Sequence, residues 1–287
     1  MDVGTKRSFA IGSLLTRPRI YLYGLVIFAF VLTFNHSRSF AETILSQAAS
    51  VIDGSTGELL YAKNSDSLLP PASTAKLMTA IVVMERANLS NIVAISQKVS
   101  LVSPLRAGFK KGDRVTIEGL LYAALLKSSN DAAVALAEAV AGSEDSFVSL
   151  MNQKAVSIGA EHTQFINATG LPGEGQYITA LDLSRIMRHA MSYPKIREIL
   201  ATPTATVSTE NGKTLFLRNT DKLLKPDEEV IAGKTGYTGS ARHCFVCAAE
   251  RNRNTVIVSL LGSPSRRILW KEARKLIKTG FGAMARE

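Results

Sequence analysis

Cysteine and histidine are scarce in this sequence, which has two Cys and four His among 287 residues. Two cysteines cannot build a disulfide framework, and four scattered histidines argue against a zinc enzyme. Past Ala41 the sequence also lacks internal repeats, low-complexity segments and linkers. Hydrophobic residues make up 46% and charged residues 20% of the chain, which excludes a disordered, collagen-like or coiled-coil protein and predicts a globular one.

No cluster of basic residues interleaved with aromatic residues occurs, so we expect no nucleic-acid partner. The formal net charge is +10. Residues 1–41 hold five of the 34 basic residues and one of the 24 acidic ones, so the rest of the chain carries +6. A mildly basic body of this kind suits an anionic polymer or a membrane surface.

The N-terminal segment is typical of an export signal. Residues 21–34 form an uncharged apolar run behind a basic stretch, shorter than the roughly 20 residues of a spanning helix. Ser39 and Ala41 supply small residues where a signal peptidase would read them. We predict a signal over residues 1–41 and one domain over 42–287, exported to the periplasm or the outer face of the cytoplasmic membrane. The alternative is an uncleaved anchor, and we expect membrane association only in that case.

Strand patterns lie at both ends of the body and helical patterns lie between them. Residues 49–62 are typical of two strands around a turn that contains Asp-Gly-Ser-Thr-Gly. Three further strands are predicted over 229–235, 242–250 and 255–262. Helices are predicted over 73–86, 115–141 with a break at 128–130, 144–158, 182–192 and 265–278. This order predicts an α/β (α+β) fold with one antiparallel sheet built from both chain ends, flanked by helices, and an inserted, mostly helical subdomain.

Cys244 and Cys247 have the spacing of a redox pair, but the residues around them are typical of a strand. Thioredoxin-type chemistry needs its first cysteine at a helix N-terminus. In a strand, side chains three residues apart point to opposite faces of the sheet. We therefore interpret both cysteines as structural.

The first motif with catalytic chemistry is Ser73-Thr-Ala-Lys76, at the start of a predicted helix. Residues i and i+3 share a helix face, so the amine lies within reach of the hydroxyl that it would deprotonate. Burial and neighbouring cations lower the pKa of such an amine. A second copy, Ser192-Tyr-Pro-Lys195, is not expected to act in this way. Pro194 disfavours helix at the residue before it, so Lys195 is not set one turn along.

The second motif is Ser128-Ser-Asn130, between two helical stretches. A loop hydroxyl and a loop amide there could contact the catalytic amine, relay a proton and hold a substrate amide. Taken alone, the motif is more typical of a helix break with Asn130 or Asp131 as the cap.

The third motif is Lys234-Thr235-Gly236, at the end of an apolar strand. A cation and a hydroxyl on an edge strand can bind a carboxylate, and the glycine leaves room for a substrate backbone. A second copy ends in Gly280, where we interpret the glycine as the C-cap of the last helix.

Together, in this order, the three motifs are those of penicillin-binding proteins and class A β-lactamases. The surrounding residues 71–80 (PASTAKLMTA), 128–132 (SSNDA) and 233–238 (GKTGYT) closely resemble the low-molecular-mass D-alanyl-D-alanine carboxypeptidases. The resemblance runs over essentially all of 46–280. It implies the β-lactamase/D,D-peptidase-like fold. Other stretches resemble the same family: 142–152, 167–171 and 218–220.

The resemblance implies a serine acyl-transfer enzyme that removes the terminal D-Ala from peptidoglycan stem peptides and is inhibited by β-lactams. Ser73 would attack the penultimate carbonyl and Lys76 would accept its proton. Ser128 and Asn130 would relay a proton and position the substrate. The backbone N–H groups of Ser73 and Tyr237 would form the oxyanion hole. No metal ion or organic cofactor is implied.

The resemblance also implies a substrate-binding strand. Lys234 and Thr235 would bind the substrate carboxylate, with Arg218 as a further helper. Gly236 and Tyr237 complete the strand along which the substrate would lie.

Other activities use related sequences. A D,D-endopeptidase, which cuts peptidoglycan cross-links with the same machinery, is the main alternative. A class A β-lactamase would need a Glu-x-x-Leu-Asn context that the sequence lacks, and a non-catalytic peptidoglycan-binding module would normally lose Ser73 or Lys76. The sequence contains no Gly-x-Ser-x-Gly elbow, which argues against a triad hydrolase.

Many carboxypeptidases of this family continue into a second domain and an amphipathic helix. Residues 281–287 are too short for either, so we expect no anchor at that end.

Overall fold

The computed structural model of the protein describes residues 4–5, 43–225 and 229–286. Apart from Gly4 and Thr5, the predicted export signal over residues 1–41 lies outside the described residues. Ile44–Glu287 form one compact unit. Among the described residues, no helix combines the length and the apolar composition that crossing a membrane requires.

A five-stranded antiparallel sheet forms the centre of the fold. Its strands are β1 Ala48–Asp53, β2 Leu59–Lys63, β7 Val230–Thr238, β8 Arg242–Arg251 and β9 Asn254–Ser263. They lie in the order β2-β1-β9-β8-β7. Because β1 pairs with β9, the two ends of the body meet in the middle of the sheet and β7 becomes an outer strand. The prediction of a sheet built from both chain ends is confirmed.

Helices fill the region between β2 and β7, which confirms the inserted helical subdomain. A 3₁₀ turn over Ala72–Ala75 leads directly into the first of them. The helices are α1 Lys76–Arg86, α2 Gln97–Leu101, α3 Ile117–Leu126, α4 Asn130–Ala141, α5 Glu144–Ser157, α6 Ala180–Ala190 and α7 Pro194–Ala201, and α8 Arg266–Met284 follows β9.

The sequence patterns missed the shortest elements. These are the helices α2 and α7 and two small hairpins, which consist of β3 Ile92–Ala94 with β4 Arg114–Thr116 and of β5 Thr204–Ser208 with β6 Thr214–Arg218. These elements are three to eight residues long, and hydrophobic periodicity over so few residues identifies an element only together with a turn signal, as the Asp-Gly-Ser-Thr-Gly turn does between β1 and β2.

The two faces of the sheet bury separate apolar clusters. Cys244 belongs to the cluster beneath the helical subdomain, whereas Cys247 belongs to the cluster beneath α8. Both thiols are free and buried. Burial raises the pKa of Cys244 to about 12 and also raises the pKa of Cys247 well above its usual value. The predicted placement of the two cysteines in a strand, on opposite faces of the sheet, is confirmed, and a thiol with a raised pKa is a poor redox nucleophile.

The prediction that Gly280 caps the last helix is wrong, because α8 continues to Met284. A Cβ atom added to Gly280 would lie 2.8 Å from Val51 Cγ1 and 3.0 Å from Val256 Cγ1. The helix therefore needs a residue without a side chain at its closest approach to the sheet. Packing, and not a left-handed turn, selects glycine at this position.

Two alanine substitutions in α8 test this interpretation. We expect Gly282→Ala to raise the free energy of unfolding by about 0.5–1 kcal/mol, because no atom lies within 4 Å of its added Cβ and alanine favours a helix over glycine. Gly280→Ala should instead lower the free energy of unfolding by about 1–3 kcal/mol through overpacking against β1 and β9. Urea unfolding of both variants measures the two effects. A stabilised Gly280→Ala variant would contradict the close packing.

Candidate active site

Ser73 lies in the 3₁₀ turn that precedes α1, and Lys76 is the first residue of that helix. The amine Nζ of Lys76 is 2.9 Å from the hydroxyl Oγ of Ser73. Ser73 is 8% exposed and Lys76 is completely buried. The i, i+3 spacing predicted from the sequence therefore brings a solvent-accessible hydroxyl into contact with a desolvated amine.

The amine of Lys76 has two further hydrogen-bond partners, and both come from distant parts of the chain. It donates to Asn130 Oδ1 at 2.7 Å and to the carbonyl of Thr169 at 2.7 Å. With Ser73 Oγ these acceptors match the three N–H donors of an ammonium group. The amine is thereby fixed in one position, and once it is neutral its lone pair can accept the Ser73 proton.

Electrostatics favour the neutral form of this amine. Burial lowers the pKa of Lys76 well below its usual value, the positive charge of Lys234 lowers it further, and Asp131 opposes both effects. Burial acts in this direction because taking an ammonium ion out of water costs free energy that the neutral amine does not lose. The site thus contains a base whose pKa is shifted toward neutral pH.

Ser128-Ser-Asn130 lies where α3 ends and α4 begins. The N-cap of α4 is Ser129, and its side chain makes no capping hydrogen bond. The alternative that Asn130 or Asp131 serves as a cap is therefore wrong. Asn130 instead contacts the amine of Lys76, and Ser128 adopts a left-handed φ of 62°.

Asp131 anchors the loop that borders the site. Its buried carboxylate accepts hydrogen bonds from the backbone N–H groups of Ala107, Gly108 and Phe109. Asn130 Nδ2 donates to the carbonyl of Pro104 in the same loop. Asn130 and Asp131, two consecutive residues at the start of α4, thus connect the amine of Lys76 to the loop that contains Pro104 and Ala107.

Lys234 lies on β7 and is 1% exposed. Its Nζ donates to Ser128 Oγ at 2.9 Å and to the carbonyl of Thr235 at 3.0 Å. Burial lowers the pKa of Lys234 to about 7, while the charge of Asp221 acts in the opposite direction. Near neutral pH this side chain therefore exchanges between the ammonium and the amine.

The lowered pKa makes the stability of the protein depend on pH. A lysine with an ordinary pKa of 10.5 in the unfolded chain and about 7 in the folded one releases its proton on folding anywhere between these two values. The unfolded state then binds more protons, so stability rises with pH across this window. Between pH 7 and 8.5 we expect the wild type to gain about 1–2 kcal/mol relative to Lys234→Met. Urea unfolding at both pH values measures the difference, and equal changes in the two proteins would contradict it.

Gly236 allows β7 to lie directly beside Ser73. A Cβ atom added there would lie 3.0 Å from the backbone nitrogen of Ser73 and 3.0 Å from Ala72 Cβ. The next residue, Tyr237, is 55% exposed and packs its ring 4.5 Å from the ring of His243. An outer strand with a glycine at this point presents its backbone to any extended peptide that enters the site.

A cavity of about 90 Å³ connects these groups. Its lining contains Ser73, Ser128, Thr235, Gly236 and Tyr237. Lys76 and Asn130 lie behind the nucleophile, and Lys234 lies behind Ser128. The structure thus brings together all of the predicted site residues except Arg218, which is exposed at the end of β6 and is not among the residues that line the cavity.

Sequence reasoning missed three contributors to the site. Thr220 Oγ1 lies 2.6 Å from Thr235 Oγ1 and lines the same cavity. The carbonyl of Thr169 accepts a hydrogen bond from the amine of Lys76, and the carboxylate of Asp131 accepts one from the backbone of Ala107 at the rim. The stretches 167–171 and 218–220 match the family in sequence, but neither contains a chemical motif that predicts these contacts.

The second Ser-x-x-Lys copy lies elsewhere. Lys195 pairs with Glu118 and Glu198, and Ser192 Oγ donates to the carbonyl of His189. Pro194 begins α7 after an extended residue, which confirms the predicted helix boundary. Within residues 43–225 and 229–286, no group of three or more His, Cys, Asp or Glu side chains is placed to hold a metal ion.

Comparisons with known proteins agree with this geometry. Residues 35–265 match the family model of peptidase S11, described as D-alanyl-D-alanine carboxypeptidase. The D-alanyl-D-alanine carboxypeptidase DacF of Bacillus subtilis is 32% identical over 82% of this chain, which spans 62% of the length of that relative. A D-alanyl-D-alanine endopeptidase of Pseudomonas aeruginosa is 33% identical over 82% of this chain and 77% of its own length. A solved structure of a Streptomyces K15 DD-transpeptidase variant superposes with a TM-score of 0.78 at 33% identity, over 84% of this chain and 99% of that one.

Proposed function

Because the chain belongs to the peptidase S11 family of D-alanyl-D-alanine carboxypeptidases, we propose that Ser73 is its acylating nucleophile and that its substrate is the D-Ala-D-Ala end of peptidoglycan stem peptides. The chain is a serine hydrolase of this family. The observation that carries the assignment of the nucleophile is the 2.9 Å contact between Ser73 Oγ and the buried Lys76 Nζ. The fully buried amine supports its role as the base.

Acylation and deacylation follow from this pair. Ser73 Oγ attacks the carbonyl carbon of the penultimate D-Ala while its proton passes to Lys76 Nζ. The bond to the terminal D-Ala nitrogen then breaks, and that nitrogen takes up the proton held by Lys76 through the hydroxyl of Ser128, which accepts a hydrogen bond from Lys234. Water hydrolyses the resulting ester and restores the Ser73 hydroxyl. The backbone N–H groups of Ser73 and Tyr237 stabilise the oxyanion, each contributing about 3–4 kcal/mol.

The substrate carboxylate would bind at the other side of the cavity. Lys234 supplies the positive charge in its protonated form, and Thr235 supplies a hydroxyl. Thr220 contacts that hydroxyl and orients it. An anionic ligand raises the pKa of Lys234 on binding, because it favours the ammonium form. Arg218 would help to bind the substrate carboxylate only after its side chain moves, because this side chain is exposed and does not line the cavity.

A mass measurement with benzylpenicillin tests the nucleophile. We expect the purified chain to gain the mass of one penicilloyl group, located on Ser73 by peptide mapping. Ser73→Ala should gain none, whereas Ser192→Ala, which changes the other Ser-x-x-Lys copy, should be labelled like the wild type. An unlabelled wild type with intact drug would overturn the catalytic assignment. An unlabelled wild type that hydrolyses the drug would indicate a β-lactamase.

The main alternative for the acyl donor is a cross-linked peptide, as a D,D-endopeptidase would use. The match to the endopeptidase of Pseudomonas aeruginosa supports this candidate. Digestion of purified peptidoglycan separates the two activities. Free D-Ala is the product of a carboxypeptidase, whereas loss of dimeric fragments without free D-Ala identifies an endopeptidase.

We also propose that the protein acts outside the cytoplasm. The apolar run over residues 21–34, behind a basic segment, supports export. Peptidoglycan is found outside the cytoplasmic membrane, so the proposed substrate requires the same location. Association with the membrane would follow only if residues 1–41 are retained.

A further inference from the structure

A cleft of about 730 Å³, much larger than the catalytic cavity, lies at the other end of the central sheet. On β8, Cys244 lines the catalytic cavity and Glu250 lines the cleft. Six residues of extended strand separate them by about 20 Å. On β7, Thr235 lines the catalytic cavity and Ile231 lines the cleft. The cleft is therefore a distinct surface that is rigidly connected to the active site through shared strands.

The cleft is lined mainly by polar groups. Ile231 on β7 contributes a half-buried apolar side chain, whereas Ile52 and Ile257 behind the lining are fully buried. The walls include the glycine-containing turn between β1 and β2 and the end of α5. A volume of this size suits a peptide-sized ligand and not a single ion.

Three arginines make the rim positive. Arg185 and Arg188 lie on α6, Arg197 lies on α7, and Glu250 is the acidic residue among the lining. His189 also lines the cleft, and burial lowers its pKa, which keeps it neutral at pH 7. Because Arg185 is paired with Asp182, the cleft carries a net charge of +1, and Glu250 is the acidic side chain of its lining. That combination suits a ligand with several carboxylates and an amine.

Two of the guanidinium groups are held in place by the protein. Arg188 donates from Nε to the carbonyl of Gly54 at 3.0 Å and from Nη2 to the carbonyl of Ser55. Arg185 donates from Nη1 to the carbonyl of Gly159 and to Asp182. A guanidinium has five N–H donors, so within the described part of the chain each of these groups keeps donors for a ligand. Less rotamer entropy is lost when a fixed arginine binds a carboxylate.

We propose that this cleft binds a second stem peptide of the same peptidoglycan polymer through its carboxylates, while the first stem peptide occupies the Ser73 site. The inference rests on the proposed function, because it assumes that peptidoglycan is the substrate. Arginines form bidentate hydrogen bonds with carboxylates. Ile231 accommodates the methyl group of an alanine residue, and Glu250 pairs with an amine. A polymer held at two points about 20 Å apart dissociates more slowly than a single peptide does.

Binding of purified peptidoglycan to the full chain tests the proposal. The experiment uses Ser73→Ala, so that the polymer is not degraded, and adds Arg197→Glu in the cleft. We expect Arg197→Glu to weaken co-sedimentation with peptidoglycan about tenfold. Lys278→Glu on α8 is the matched control, because it makes the same change of charge on the opposite face of the sheet, and it should bind as before. Amidation of the peptidoglycan carboxylates should remove the difference between Arg197→Glu and the control.

A second readout separates failure of this inference from failure of the proposed function. Arg197→Glu with Ser73 intact should release D-Ala from a short soluble peptide ending in D-Ala-D-Ala at the wild-type rate, because that peptide reaches only one site. If the wild type does not hydrolyse this peptide, the proposed function is wrong. If it does, but Arg197→Glu binds peptidoglycan like the control, the inference about the cleft is wrong. If Arg197→Glu loses binding to phosphatidylglycerol vesicles but binds peptidoglycan as before, the cleft binds lipid phosphate and the proposal is overturned.

Discussion

Replacing Lys76 with methionine is expected to lower the rate constant of acylation by benzylpenicillin by about 10³–10⁴-fold. The substitution removes the proposed base, whose amine contacts Ser73 Oγ, and keeps a similar side-chain volume in a fully buried position. Losses of this size are typical when a positioned general base is removed. They correspond to about 4–5.5 kcal/mol of transition-state stabilisation. Stopped-flow acylation of the wild type and the variant gives the ratio.

Lys195→Met is the control, because Lys195 belongs to the other Ser-x-x-Lys copy and contacts only carboxylates in the described structure. Its acylation rate should stay within about twofold of the wild type. The pH profile gives a further check. The wild-type rate should rise with pH as Lys76 loses its proton, since burial lowers the pKa of this amine, and Lys76→Met should lack this rise. A loss of less than tenfold in Lys76→Met would contradict its role as the base.

The second large effect is expected at Gly170, which packs against the turn that carries the nucleophile. Gly170 has a φ of 79°, and a Cβ atom added there would lie 1.8 Å from the carbonyl oxygen of Ala72 and 2.5 Å from its carbonyl carbon. Ala72 itself has a left-handed φ of 48°. Backbone atoms cannot rotate away as a flexible side chain can, so Gly170→Ala must displace the residue next to Ser73.

We expect Gly170→Ala to lower the free energy of unfolding by about 2–5 kcal/mol, from left-handed strain together with overpacking. The acylation rate of the folded variant should fall about 100-fold, because a displacement of 1 Å costs that much in a positioned reaction. Gly175→Ala is a close control, since its φ is 80° and no atom lies within 4 Å of its added Cβ. It should lose only the strain energy of about 1–2 kcal/mol and none of the activity. Equal losses in the two variants would show that the contact with Ala72 has no role.

Local patterns in the sequence predicted the structure correctly wherever residues close together in the chain determine where a side chain lies. The pair Ser73 and Lys76 meets because helical geometry places residues three apart on one face. Cys244 and Cys247 separate because a strand alternates its faces. Pro194 excludes the second Ser-x-x-Lys copy for a local reason as well, because a proline disfavours helix at the residue before it. The central strands and the longer helices are determined by periodicity in the same way.

The remaining features depend on contacts between distant segments, which periodicity does not encode. Asn130 lies 54 residues and Thr169 lies 93 residues beyond the amine of Lys76 that they fix, and Lys234 meets Ser128 across 106 residues. The low pKa of Lys234 follows from its burial, which only packing produces. Gly280 illustrates the limit: a glycine is equally compatible with a helix cap and with a close helix–sheet contact, and only the position of β1 and β9 decides between them. The sequence by itself determined which groups carry the predicted chemistry, and the tertiary structure decided which of them are desolvated and in contact, because only packing brings distant segments together.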